Sequence, residues 1–183
     1  MAMVKRRLGR NESLLAELAD SSNKPENVLD KARSQGISTE PLDITRLVGN
    51  LGIQLRYEDM SEDISGHLQK REDIWVISVN QNHHEKRRRF TIAHELGHFF
   101  LHGNNQSDFW DETTVLFRNN VDSNSMEWQA NRFAAELLMP EDAFREKVRN
   151  GMTSIESLAD HFNVSALSVR IRAKQLGFQG HGV

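Results

Sequence analysis

The chain has 183 residues, 38% of them hydrophobic, a net charge of −3 and no cysteine. That length suits one domain with a buried core, or a catalytic domain with a small appendage, and the mildly acidic balance argues against a protein built mainly to neutralise phosphates. Without cysteine there can be no disulfide scaffold, thiolate zinc site or cysteine nucleophile, so any metal must be held by His, Asp or Glu.

Residues 1–40 read as an N-terminal extension. A basic tail runs to Arg10, residues 11–19 space their leucines as a helix does, Ser21 to Pro25 break the pattern, and a short helix over Glu26 to Ser34 ends at Gly36. Residues 41–150 read as the main domain. Pro41 opens a helix with Ile44, Leu47, Val48 and Leu51 on one face, closed by Asn50 and Gly52. From Gly52 to Asn80 the period becomes two, which predicts a small, mainly antiparallel sheet of about three strands: Ile53 to Tyr57, Gly66 to Lys70, and Asp73 to Asn80 after a turn at Lys70 to Asp73. Asn82 with Glu85 resembles a capping box for a helix from about His83 to His102, with Gly103 as its C-cap. The basic run Lys86 to Arg89 within it reads as a solvated face. Asn104 to Ser125 is a long polar loop with an ordered piece near Phe109-Trp110, and Met126 to Met139 is a second strong helix stopped by Pro140. A further helix ends at Asn150-Gly151. Residues 151–183 form a C-terminal helical segment, in which Thr153 and Glu156 cap one helix and the last runs from Ser165 to Leu176. No run approaches the roughly 20 apolar residues of a membrane span, so the expectation is a soluble cytoplasmic protein.

The long helix carries His94-Glu95-Leu-Gly-His98, an H-E-x-x-H pattern inside an apolar run. Residues four apart on a helix stack one above the other, so both histidines can reach one ion, and Glu95 is placed to take a proton from water. Gly97 costs helix stability by about 1 kcal/mol relative to Ala, which points to close approach of another backbone at that turn. A catalytic zinc needs a third protein ligand. His102 lies two turns from His94, about 12 Å along the axis, and is a poor candidate. Asp108, Asp111, Glu112 and Asp122 sit in the loop, where a ligand needs extra support. Glu127 ranks first, because the other face of its helix, with small Ala130 and Ala134, suits packing against the motif helix; Glu136 ranks second. Asn131 shares the face of Glu127 and can hydrogen-bond the outer nitrogen of a ligating histidine.

Arg89 to His98 together with Glu127 to Pro140 resembles the ImmA/IrrE family of metallopeptidases, with similarity over roughly Pro41 to Pro140 that includes Ser65-Gly66. The resemblance implies an α+β, zincin-like core in which His94, His98 and Glu127 bind zinc and Glu95 is the catalytic base. It also implies a protein substrate, a helix-turn-helix transcription repressor, in a mobile-element or stress-response setting. An extended substrate is expected to pair with a strand edge around Trp75 to Val79. The segment around Leu158 to Lys174, with Arg170, Arg172 and Lys174, resembles a helix-turn-helix; packing on the catalytic domain is favoured over DNA binding. The alternative function is a non-proteolytic regulatory module on the same scaffold, contacting DNA or a partner protein.

Overall fold

The computed structural model of the protein describes residues 24–112 and 125–178. Within them seven helices and four strands make an α+β fold with a small mixed sheet. The segment over residues 11–19 lies outside the described residues. Helix α1 (Pro25–Ser34) starts with proline in its first turn, where a missing N–H costs nothing, and is followed by Gly36 at φ 68°. Helix α2 (Ile44–Asn50) begins later than Pro41 suggests, because the Asp43 side chain accepts from Arg46 N and sets the N-cap there.

Strands β1 (Gln54–Glu58), β2 (Ile64–Arg71) and β3 (Ile74–Asn80) follow, and β4 (Asp108–Glu112) comes from within the long loop. The sheet order is β1-β3-β2-β4, with β2 antiparallel to β3 and to β4 and β1 parallel to β3. Both edges of β3 are therefore paired, so Trp75 to Val79 offers no free edge to a substrate, contrary to the expectation above. The turn between β2 and β3 turns on Glu72 at φ 56°, the backbone a tight hairpin needs. Opposite β4, strand β2 is irregular: the register jumps between Ile64 and Gly66, leaving Ser65 as an extra residue.

Helix α3 (Glu85–His102) starts two residues later than the predicted capping box. Asn82 donates to Asp59 Oδ1 at 2.7 Å instead, and His84 Nδ1 accepts from Lys86 N at 3.2 Å. Its basic run is divided among separate jobs. Arg87 donates to Ser65 Oγ at 3.3 Å, Arg89 to the Leu42 carbonyl, and Lys86 pairs with Asp160 at 2.8 Å, while Arg88 lies over the Tyr57 ring at 5.4 Å. Burial lowers the Arg89 guanidinium from its usual range, against the raising pull of Asp43 and Glu85. Helix α4 (Met126–Leu138), capped by Ser125, lies along α3, and α5 (Glu141–Arg149), α6 (Ile155–His161) and α7 (Ala166–Gln175) complete the chain. Ser154 rather than Thr153 caps α6, accepting from Ser157 N at 3.0 Å.

One contiguous apolar core joins Leu68 and Ile77 of the sheet, Leu96 of α3, Phe133 and Leu137 of α4, and Phe144, Leu158, Phe162 and Val169 beyond. Helix α3 lies between the sheet and α4. Its crossing with α4 is close because a Cβ on Gly97 would stand 2.9 Å from both the Cα and the carbonyl oxygen of Ala130. The expected backbone approach at Gly97 is thus made by α4, and it brings the two helices' polar faces together. No described helix is long and apolar enough to cross a membrane.

Candidate metal centre

The geometry of the site follows from that crossing. His94 and His98 are one turn apart on α3 and fully buried, at 0% and 1% exposure. Glu127, in the first turn of α4, keeps 30% side-chain exposure, so the site opens to solvent on its side. The two histidine Nε2 atoms approach to 3.0 Å, and each lies 3.3 Å from a Glu127 carboxylate oxygen. In a tetrahedral site with ligands ~2.0–2.1 Å from the metal, neighbouring ligand atoms stand roughly 3.3–3.4 Å apart. The nitrogens meet different carboxylate oxygens, His94 facing Oε2 and His98 facing Oε1, so each contact is near ligand spacing, and one ligand atom from each of the three residues lies within 4.8 Å of the others. Two imidazole nitrogens and a carboxylate suit a zinc ion well.

The charge states agree with this. Burial drives the His98 imidazole down to about 4, despite the opposing hydrogen bond and charge of Glu127. Burial alone would raise the Glu127 carboxyl, but hydrogen bonds and charge from His94 and His98 outweigh it and hold the group far below the usual carboxylate range. At neutral pH His98 is therefore neutral and Glu127 ionised, the states in which each can bind a cation. His94 Nδ1 lies 2.9 Å from Asn131 Oδ1, so the outer N–H donates to the amide and Nε2 presents its lone pair to the cluster. Among the described residues, His94, His98 and Glu127 are the group able to hold a metal.

The other sequence candidates are accounted for by their neighbours. The His102 ring sits 5.5 Å from that of His98, and its nitrogens do not join the cluster. Asp108 pairs with His67 at 2.5 Å, and Glu136 pairs with Arg132 at 2.9 Å. The side chains of Asp111 and Glu112, and all of Asp122, lie outside the described residues. His67 stacks on Trp110 at 3.8 Å, and its β2 neighbour Leu68 pairs with Phe109, so strand alternation sends His67 to the sheet face away from the metal cluster.

Glu95 is 0% exposed and lies beneath β2, where a Cβ on Gly66 would stand 3.0 Å from its Oε1. Two neighbours had only a faint signal in the sequence. Phe109, visible only as part of an ordered piece in the loop, stacks on His98 at 4.7 Å between centroids and closes that side of the ring. Gly66 belonged to the resemblance without any role attached.

Residues 48–174 match the sequence profile of Peptidase M78, described as the IrrE N-terminal-like domain. Metallopeptidase ImmA of Bacillus subtilis (strain 168) is 31% identical over 110 residues, 59% of this chain and 60% of that protein. Uncharacterized immunity region protein 2 of Bacillus phage phi105 is 40% identical over 65 residues, 36% of this chain and 38% of that protein. The chain thus covers less than two thirds of the length of either relative. The profile spans well over half of the chain and contains both α3 and α4 with all of the residues described above, and on that match the chain belongs to the Peptidase M78, IrrE N-terminal-like, family.

Proposed function

We propose that this chain is a cytoplasmic zinc metallo-endopeptidase whose substrate is a helix-turn-helix transcription repressor in a mobile-element or stress-response setting. The observation that carries the chemistry is the convergence of His94, His98 and Glu127, with the two Nε2 atoms 3.0 Å apart and each 3.3 Å from a different Glu127 oxygen. The names of the two relatives, a metallopeptidase and a phage immunity-region protein, support the class of reaction and the setting.

Zinc, when bound, would polarise the scissile carbonyl and make its water more acidic. His94, oriented by Asn131, and His98, backed by Phe109, would hold the ion through Nε2. Glu127 would add one negative charge and leave the solvent side open to substrate. The Glu95 carboxylate would accept the proton of the attacking water and deliver it to the leaving amine, so that one peptide bond breaks with the addition of one water. Glu95→Gln is expected to lower cleavage of the repressor by about 10²–10⁴-fold while the protein still binds one zinc. Turnover equal to wild type in that variant, measured on a helix-turn-helix repressor that the wild type cleaves, would refute the assignment.

The second reading, a regulatory module that binds without cleaving, draws on the exposed face of α7. Leu167, Arg170, Ile171 and Lys174 are exposed there, and residues 161–183 contain no carboxylate side chain. The third cation of that helix, Arg172, is buried and donates to the Met139 carbonyl at 3.0 Å, which leaves two side-chain cations of α7 for phosphates. Salt-sensitive operator binding by a protein that leaves the repressor intact would favour this reading.

A further inference from the structure

The wall above Glu95 is backbone rather than side chain. Arg87, Thr91 and Glu95 recur every four residues along α3 and share one face. That face meets β2 at its irregularity. Ser65, the extra residue, is 0% exposed and accepts from Arg87 at 3.3 Å, while Gly66 lies over both Thr91 and Glu95. A Cβ on Gly66 would stand 2.5 Å from Thr91 Cγ2, 3.0 Å from Glu95 Oε1 and 3.1 Å from the Ser78 carbonyl oxygen. Thr91 is 0% exposed and β-branched, and in a helix its methyl has little freedom to move.

We infer that the Ser65–Gly66 bulge is a positioning element for Glu95: Arg87 holds the bulge, and the missing side chain of Gly66 leaves the room in which the carboxylate sits at its working distance from the metal cluster. This inference rests on the proposed role of Glu95. It adds that a strand residue with no side chain of its own sets where that carboxylate stands. The role would be invisible in a ligand inventory, since Gly66 contributes no functional group.

Two effects are folded into Gly66→Ala, a packing clash with Thr91 and a push on Glu95, and Thr91→Ser separates them by deleting the methyl at 2.5 Å. The probe is Co(II) alone, loaded into the full chain, read through its visible absorption bands at one neutral pH. Wild type, Glu95→Gln, Thr91→Ser and Gly66→Ala/Thr91→Ser are compared, with the Tm of each recorded. The double variant is expected to recover most of the Tm lost by Gly66→Ala, to bind one Co(II), and still to show bands displaced toward those of Glu95→Gln. On the repressor its kcat should fall by about 10–100-fold, the scale of a misplacement of up to an ångström in a catalytic group. Arg87→Ala, which leaves the glycine in place and releases the bulge, should move the bands the same way by a smaller amount, and it keeps the test open if the double variant does not fold. Bands of the double variant, or of Arg87→Ala in its place, that overlay wild type would overturn the inference and leave Gly66 a packing residue. Overlaying bands of wild type and Glu95→Gln would instead remove the role of Glu95 on which the inference stands.

Discussion

In α3, His94, Glu95 and His98 are at most 1% exposed; in α7, Arg172 is 4% exposed. Both helices thus turn ionisable groups inward, where burial without compensation is expensive. Arg172 finds its compensation inside the chain: Nε donates to the Met139 carbonyl at 3.0 Å at the end of α4, and Nη1 lies 3.8 Å from Glu136. The α3 histidines converge instead on one another and on Glu127, nitrogen to nitrogen at 3.0 Å, an arrangement that a cation completes better than the chain does. Burial of a polar group is therefore not the mark of a functional site. What distinguishes the cluster here is that three potential ligands converge on one another, whereas the arginine is met by a carbonyl and a carboxylate.

Substitutions can break this comparison, and their expected effects fall in order. Largest is Glu127→Ala, which removes one of the three proposed ligands and should abolish stoichiometric zinc binding in a competitive chelator titration; retained tight binding would move the third ligand elsewhere. Asn131→Ala should weaken zinc by about 10–100-fold, because the outer N–H of His94 loses the partner that fixes its tautomer, with little change in the Tm of the metal-free protein. Arg172→Met should do the reverse. It leaves the Met139 carbonyl unpaired and lowers stability by about 1–2 kcal/mol in urea titrations, with zinc affinity unchanged. A fall in affinity would mean that α7 acts on the metal helix. Smallest is Glu40→Gln, at the tether of the C-terminal helices, where Glu40 meets Lys147 at 3.2 Å and His161 at 3.4 Å. Burial pulls that carboxyl up, but Lys147 and His161 outweigh it and leave it below its usual value. Its contribution is then present above the pKa of the unfolded carboxyl and is lost as pH falls through the folded one. Since the group is a third exposed, the contribution is at most about 1 kcal/mol, read as a shallower acid limb of the stability curve in the variant.

What the sequence disclosed follows from how local each cause is. His94, Glu95 and His98 are fixed by helical spacing, and the pairing of α3 with α4 is written in Gly97, Ala130 and Ala134, where small residues permit approach. Asn131 could be placed because it lies one turn from Glu127. The parallel pairing of β1 with β3 could not, since strand order depends on long-range contacts that alternation does not encode. For the same reason alternation suggests a free edge at β3, a strand paired on both sides. Asp43 and His84 displaced the predicted helix starts because several side chains near a helix end compete to cap it. Charge alone groups Arg172 with Arg170 and Lys174, and only the docking of α7 on the end of α4 separates them. Gly66 is the extreme case: its contribution is an absence, and only the packing of Thr91 and Glu95 beneath it makes that visible.

Zinc K-edge X-ray absorption on the zinc-loaded full chain tests the central claim most directly. Two imidazole nitrogens and oxygen ligands at ~2.0–2.1 Å, with one imidazole lost in His94→Ala and in His98→Ala, are the predicted result. A shell of three imidazoles, which would bring His102 into the site, or a spectrum unaltered by either substitution, would contradict it.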